Sequence, residues 1–123
     1  MASSVGFHEN ETVLTPATKD RHRALASLQE ELEAIDWYDQ RVDAADDPDL
    51  KAILAHNRDE EREHAMMVLE WLRRNAPGFE EQMRTYLFKE GPILGLEAAA
   101  TNANGETPPA AGGDGSLGIG SLR

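Results

Sequence analysis

Residues 48-PDLKAILAHNRDEEREHAMMVLEWLRRN-75 open on a proline and run to the Asn75-Ala-Pro-Gly78 stop without a second proline or any glycine. Within them Leu50, Leu54, Asn57, Glu61, His64, Val68 and Trp71/Leu72 recur at intervals of three and four, the spacing that lines side chains along one helical stripe. At about 100° per residue, Glu61 and His64 fall near the middle of that stripe, so two ionisable groups occupy a face built for burial.

The segment before it carries the matching pattern. Thr15-Pro16 sets a capping hydroxyl ahead of a proline suited to the first helical position, and a helix is expected from Pro16 to about Ala45, some 45 Å at about 1.5 Å per residue. Ala24, Leu28, Glu31, Ile35, Tyr38 and Val42 form its seam, with Glu31 among apolar neighbours. Asp46-Asp47-Pro48 ends this helix and starts the next, because Asp47 can cap while Pro48 occupies a position that needs no N–H partner. The expected fold class is therefore all-α: an antiparallel two-helix hairpin with a shorter third helix over about Gly78–Glu90, two copies of which pair into a four-helix bundle.

An unpaired carboxylate on an apolar seam costs several kcal/mol of desolvation, so Glu31 and Glu61 require a cation or a proton between them. Glu61-Arg-Glu-His64 is a Glu-x-x-His at i, i+3, which turns both side chains to one face, and Glu31 adds a carboxylate from the facing helix. Di-iron four-helix bundles draw one Glu from each of two helices and one Glu-x-x-His from each of the other two, so this chain supplies half of such a set. A two-fold dimer completes it, with two metal ions per interface and the axis passing between them. Bridging carboxylates with imidazole suit Fe(II) best, although zinc, manganese and other divalent metals are compatible with the same ligands. The structural alternative is that the three residues are polar groups that merely set the register of a helical hairpin. Glu60/Glu63 falls off the apolar stripe, and His8, His22 and His56 lie away from both seams.

Composition narrows the remaining possibilities. Acidic residues number 23 against 12 basic ones, a net charge of −11 that repels nucleic acid and anionic lipid surfaces while gathering small cations. The absence of cysteine excludes disulfides, thiolate metal sites, iron–sulfur clusters and cysteine nucleophiles. No segment has the length and polarity of a signal peptide or a membrane span, so the expected compartment is the cytoplasm. Residues 1–14 show no periodicity and are expected to form a flexible N-terminal arm before the helical domain of residues 15–92. Residues 93–114, rich in Ala, Gly, Thr, Asn and Pro, cannot bury enough apolar area to offset chain entropy and are expected to be a flexible linker. Residues 115–123 regain Leu117, Ile119 and Leu122 among glycines, the pattern of a tethered ligand; the bland alternative is a disordered end with chance hydrophobes.

Arg21-His-Arg23, the run from Glu30 to Asp43 (EELEAIDWYDQRVD), the run from Ile53 to Ala65 (ILAHNRDEEREHA) and Leu69-Glu-Trp-Leu-Arg-Arg74 together resemble the encapsulated ferritins, two-helix relatives of ferritin, over about residues 19–92. That resemblance implies a ferroxidase centre shared between subunits and formed by Glu31, Glu61 and His64, in a ring built from dimers, a decamer. It further implies that Glu30 and Glu33 form a site where metal ions enter, that Trp37 and Tyr38 lie close to the centre, and that residues 115–123 dock the protein to an encapsulin shell. On a helical wheel Glu30, Glu33 and Trp37 share a face separate from the seam, compatible with a second acidic interface or with a solvated face. Tyr38, two turns from Glu31, is placed either to orient a ligating carboxylate or to serve as an ordinary core tyrosine.

The function expected is oxidation of Fe(II) to Fe(III) for storage in an encapsulin nanocompartment. Two other readings are a rubrerythrin-like di-iron peroxidase, separable by oxidant consumed per iron, and a non-catalytic oligomeric adaptor that docks to the shell, separable by loss or survival of function in Glu61→Ala and His64→Ala.

Overall fold

The computed structural model describes residues 6–106, which are helical with short connections and contain no strand. Helix α1 spans Pro16–Ala44, α2 Pro48–Asn75, α3 Phe79–Tyr86 and α4 Ile93–Glu106. The chain divides into two compact units at the Asn75/Ala76 boundary. No described helix is long and apolar enough to cross a membrane.

The first unit is the antiparallel α1/α2 hairpin. Thr15 caps α1, its hydroxyl oxygen accepting a 3.1 Å hydrogen bond from the Thr18 N–H, with Pro16 in the first helical turn. At the reversal the Ala45 N–H donates to the Arg41 carbonyl at 2.9 Å and closes α1. The Asp47 carboxylate then accepts from the Leu50 N–H at 2.9 Å, satisfying one of the free donors at the start of α2. The expected boundaries of both long helices thus hold to within a residue, because each rests on local capping chemistry.

Ala65 and Leu72 on α2 are fully buried, and Glu31, Ile35, Tyr38, Leu54, Glu61, His64 and Val68 along the seams are half-buried. Large apolar side chains remain open on both helices, among them Leu25, Leu32, Ile53, Met66 and Met67, each 45–57 % exposed. One face per helix is all that a two-helix hairpin can cover, so apolar area beyond the shared seam stays in water unless another surface meets it.

The segment before α1 is more ordered than its aperiodic sequence predicts. Over residues 6–14, Asn10 caps a 3-10 turn at Glu11–Val13, its side chain accepting from the Thr12 N–H at 2.9 Å. The Phe7 ring lies 4.9 Å from that of His22, and Lys19 approaches Glu11 at 3.8 Å. Contacts between arm and helix supply what periodicity does not record.

The second unit holds α3 and α4. Gly78, at φ 91°, turns the chain into α3, a conformation that glycine adopts without steric cost. The third helix was expected over about Gly78–Glu90 and is shorter, ending at Tyr86, where the Leu87 N–H closes on the Met83 carbonyl and Phe88 takes φ 60°. Helix α4 is a correction to the expected flexible linker: residues 93–106 are helical. The Pro92 carbonyl accepts from Gly95 and Leu96 at 3.0 and 3.3 Å to start it, and Ala98-Ala-Ala100 are among the strongest helix formers. Ile93 and Leu94 are 69 % and 77 % exposed, so little burial accompanies this helix and local propensity carries it. The rest of the expected linker, residues 107–114, and the terminal peptide with Leu117, Ile119 and Leu122 lie outside the described residues.

Candidate metal centre

Near the middle of the hairpin, α1 and α2 bring Glu31, Glu61 and His64 together so that one ligand atom from each lies within 4.8 Å of the others. Glu61 and His64 share a face through their i, i+3 spacing, and His64 Nδ1 lies 3.3 Å from Glu61 Oε1. The same nitrogen lies 3.9 Å from Glu31 Oε1, across the helix pair. Nδ1 is therefore the ring nitrogen that faces both carboxylates. Side-chain exposures of 26 % for Glu31, 24 % for Glu61 and 43 % for His64 describe a cluster sheltered within the hairpin and open along one flank.

The electrostatics favour a cation among the three side chains. Glu31 is raised above the ordinary carboxylate value, first by its hydrogen bond with Glu61, then by desolvation and the Glu61 charge. Glu61 is lowered, because it accepts that hydrogen bond from Glu31 and a further one from His64. His64 is raised, chiefly by its hydrogen bond to Glu61, with the charges of Glu61, Glu31 and Glu60 adding to it. Two carboxylates facing each other cannot both ionise cheaply, and a divalent cation between them would relieve that cost. Two hard oxygen donors and one imidazole fit Fe(II), and also Zn(II) or Mn(II), while the three residues alone leave coordination positions open. If a metal pair is held here, Glu31, Glu61 and His64 are the residues that hold it, and the ions would supply redox capacity.

The other sequence-predicted residues of the centre are on α1 and do not join this cluster. Glu30 and Glu33 are exposed on α1, and Trp37 is 51 % exposed. Tyr38 is half-buried and stacks under the Arg41 guanidinium, whose carbon lies 5.2 Å from the ring centroid. Among the described residues its hydroxyl makes no hydrogen bond to Glu31 or Glu61.

Glu60 is the residue that stripe counting passed over. Its carboxylate lies 3.9 Å from His64 Nε2 and 3.6 Å from His56 Nε2, so it flanks the ring nitrogen that turns away from the Glu pair. The i, i+4 spacing of Glu60 to His64 carried this signal; attention to the centre of the stripe hid it, because Glu60 sits on its edge.

The EncFtn-like family matches residues 6–90, a span that contains both long helices and all three clustered residues. The chain is 61 % identical to an "Encapsulated ferritin-like protein" of Rhodospirillum rubrum over 98 % of its own length and 90 % of the relative's. It is 50 % identical to a "Ferritin-like protein" of Thermotoga maritima, covering 92 % of this chain and 94 % of that one. A shorter likeness, 47 % identity over 51 residues, covering 42 % of this chain and 39 % of the relative, connects it with the "Encapsulin nanocompartment cargo protein EncC" of Myxococcus xanthus. Among solved structures, that of protein ne0167 from Nitrosomonas europaea superposes with a TM-score of 0.69 at 56 % identity, over 72 % of this chain and 98 % of that one. A helical hairpin with two carboxylates and an imidazole meeting at its middle, matched in sequence over nearly the full length of two relatives, identifies this chain as a member of the EncFtn-like family.

Proposed function

We propose that this protein is a ferroxidase: Fe(II) is its substrate, bound in pairs by Glu31, Glu61 and His64 from two copies of the chain and oxidised to Fe(III) for storage within an encapsulin nanocompartment. The observation that carries this reading is the meeting of Glu31, Glu61 and His64 within 4.8 Å, half of a di-iron ligand set, on a hairpin that also leaves large apolar side chains exposed. A second hairpin laid on the first supplies the missing ligands and covers apolar area in one step. On this reading the oligomer is built from such dimers as a ring, a decamer, with Glu30 and Glu33 guiding metal ions inward and Trp37 and Tyr38 packing near the centre.

Each residue of the chain has a definite task. Glu31 and Glu61 bind as carboxylates, and their charge then stabilises the oxidised ions. His64 binds as neutral imidazole through the nitrogen facing the carboxylates, while Glu60, 3.9 Å from the far nitrogen, adds negative charge on that side of the ring. Electrons pass from bound Fe(II) to oxygen or peroxide. Residues 115–123, through Leu117, Ile119 and Leu122, dock the assembly to the shell protein; relatives named as encapsulated or as encapsulin cargo support this part.

The test is anaerobic loading with Fe(II) followed by exposure to air, with absorbance and native mass recorded for the wild type and for Glu31→Ala/Glu61→Ala/His64→Ala. Rapid oxidation and metal-dependent assembly confined to the wild type support the centre. Identical behaviour of the two proteins overturns it and leaves the non-catalytic shell adaptor. Preferential consumption of peroxide, with iron cycling rather than accumulating, favours the rubrerythrin-like peroxidase instead.

A further inference from the structure

The apolar seam of the hairpin brings α1 and α2 together without specifying their relative position along the axis. Its buried and half-buried apolar residues include Leu28, Ile35, Leu54, Ala65, Val68 and Leu72, and apolar packing is non-directional. Ligand geometry is demanding by comparison, since binding constellations must be held to within about 0.5 Å. The cluster holds one cross-helix contact of its own, the hydrogen bond between Glu31 and Glu61, but that contact turns to repulsion whenever both carboxylates are ionised, so it does not fix the register in every protonation state.

A second directed contact is found nearer the reversal, about two helical turns along α1 and less than one along α2. Arg58 Nη1 donates to Asp39 Oδ1 at 2.9 Å, crossing from α2 to α1. The same guanidinium uses Nε to reach Asp59 Oδ1 at 3.3 Å, and Asp59 accepts from Arg62 Nη1 at 3.2 Å. The Arg58 side chain is 21 % exposed and is held from two directions, one on each helix. In contrast, Arg23–Asp20, Arg62–Asp59 and Arg74–Glu70 run along a single helix and cannot report on the partner's register. Arg58 stands three residues before Glu61, and Asp39 eight residues after Glu31, so the pair and the cluster share both helices.

We propose that Arg58 is a positioning residue for the Glu31/Glu61/His64 centre: by bridging Asp39 and Asp59 it fixes the axial register of α2 on α1 and holds the three ligands in place before metal arrives. The inference rests on the metal-centre reading, and it assigns Arg58 no contact with metal. Ion pairs this exposed add little net stability to the fold, Asp39 being 60 % exposed, so the effect falls on the choice among nearby registers and not on whether the hairpin folds. A planar fork that reaches two carboxylates is a role that lysine does not reproduce.

The chain contains no cysteine, so a spin-label pair at Gln29→Cys and Glu63→Cys, both on exposed positions beside the centre, reports the α1–α2 separation in the full-length, metal-free protein. Dilution with unlabelled chain confines the signal to distances within one hairpin. The expected result is a narrow distance distribution that broadens in Arg58→Ala and Asp39→Asn, stays broad in Arg58→Lys, and narrows again in the exchanged pair Asp39→Arg/Arg58→Asp. Cobalt(II) affinity, followed by its visible absorption, falls about tenfold in the first two variants, at the lower end of what removal of a group behind metal ligands costs. Asp39→Asn keeps the test decisive should Arg58→Ala fail to fold, because that position is open to solvent. Distributions of equal width in the parent, Arg58→Ala and Asp39→Asn overturn the assignment, as does unchanged cobalt affinity. Failure of the parent chain to bind cobalt, with Arg58-dependent narrowing intact, instead overturns the metal-centre reading and leaves the register clamp standing.

Discussion

His64 meets Glu61 at 3.3 Å and Glu31 at 3.9 Å through one ring nitrogen, and this single side chain ties the chemistry of the cluster to pH. Its pKa is raised above 6.5, first by the hydrogen bond to Glu61. A raised folded-state value means that the imidazolium stabilises the fold below 6.5 and that this contribution is lost as pH rises through the folded value. Metal binding has the opposite dependence, because only neutral imidazole ligates. Cobalt(II) affinity is therefore expected to weaken as pH falls through values already above 6.5, and a pH titration of His64→Ala should lack that step. Substituting Glu61 or His64 by alanine should weaken metal binding by at least the roughly 10–100-fold seen for less direct partners, as measured by anaerobic equilibrium dialysis. Binding unchanged in either variant would remove that residue from the ligand set.

At the scale of elements, the hairpin is set by caps and by one stripe per helix. Asp47→Ala removes the acceptor for the Leu50 N–H and is expected to lower stability by about 0.5–2 kcal/mol in urea melts, with metal ligands untouched. Near the other end of α2, Glu70 is held at about 2 by Arg73 and Arg74. Because the folded value is depressed, the associated stability is present above 4.5 and is lost as pH falls towards 2. Thermal melts of wild type and Glu70→Gln should accordingly differ at pH 5 and converge near pH 2; a difference that persists at the lower pH would deny the Arg pairings their role. How much of this level was legible follows from the kind of signal. Thr15-Pro16 and Asp47-Pro48 act on their immediate neighbours, so the starts of α1 and α2 could be read residue by residue. Helix α4 has no such signal in apolar area to bury, whereas Ala98-Ala-Ala100 favour helix without burial.

For the whole molecule, the exposed apolar side chains are the governing fact. Leu32 is 51 % and Ile53 57 % exposed, and neither lies on the seam that the hairpin closes on itself. Charging them is expected to separate association from folding: Leu32→Asp and Ile53→Asp should lower the native mass to that of smaller species while helical circular dichroism persists. Retention of the wild-type mass in both would place the interface elsewhere. Truncation after residue 106 is expected to abolish capture by the shell and spare iron oxidation, scored by co-purification with the shell protein and by ferroxidase assay. The sequence by itself determined the all-α class, the limits of α1 and α2, and Glu31, Glu61 and His64 as the ligand candidates, because periodicity and capping act over a few residues. Only the tertiary structure decided that His64 turns Nδ1 to both carboxylates and that Arg58 crosses to Asp39. Those relations depend on side-chain rotamers and on the register of one helix against another, which intervals of three and four leave free.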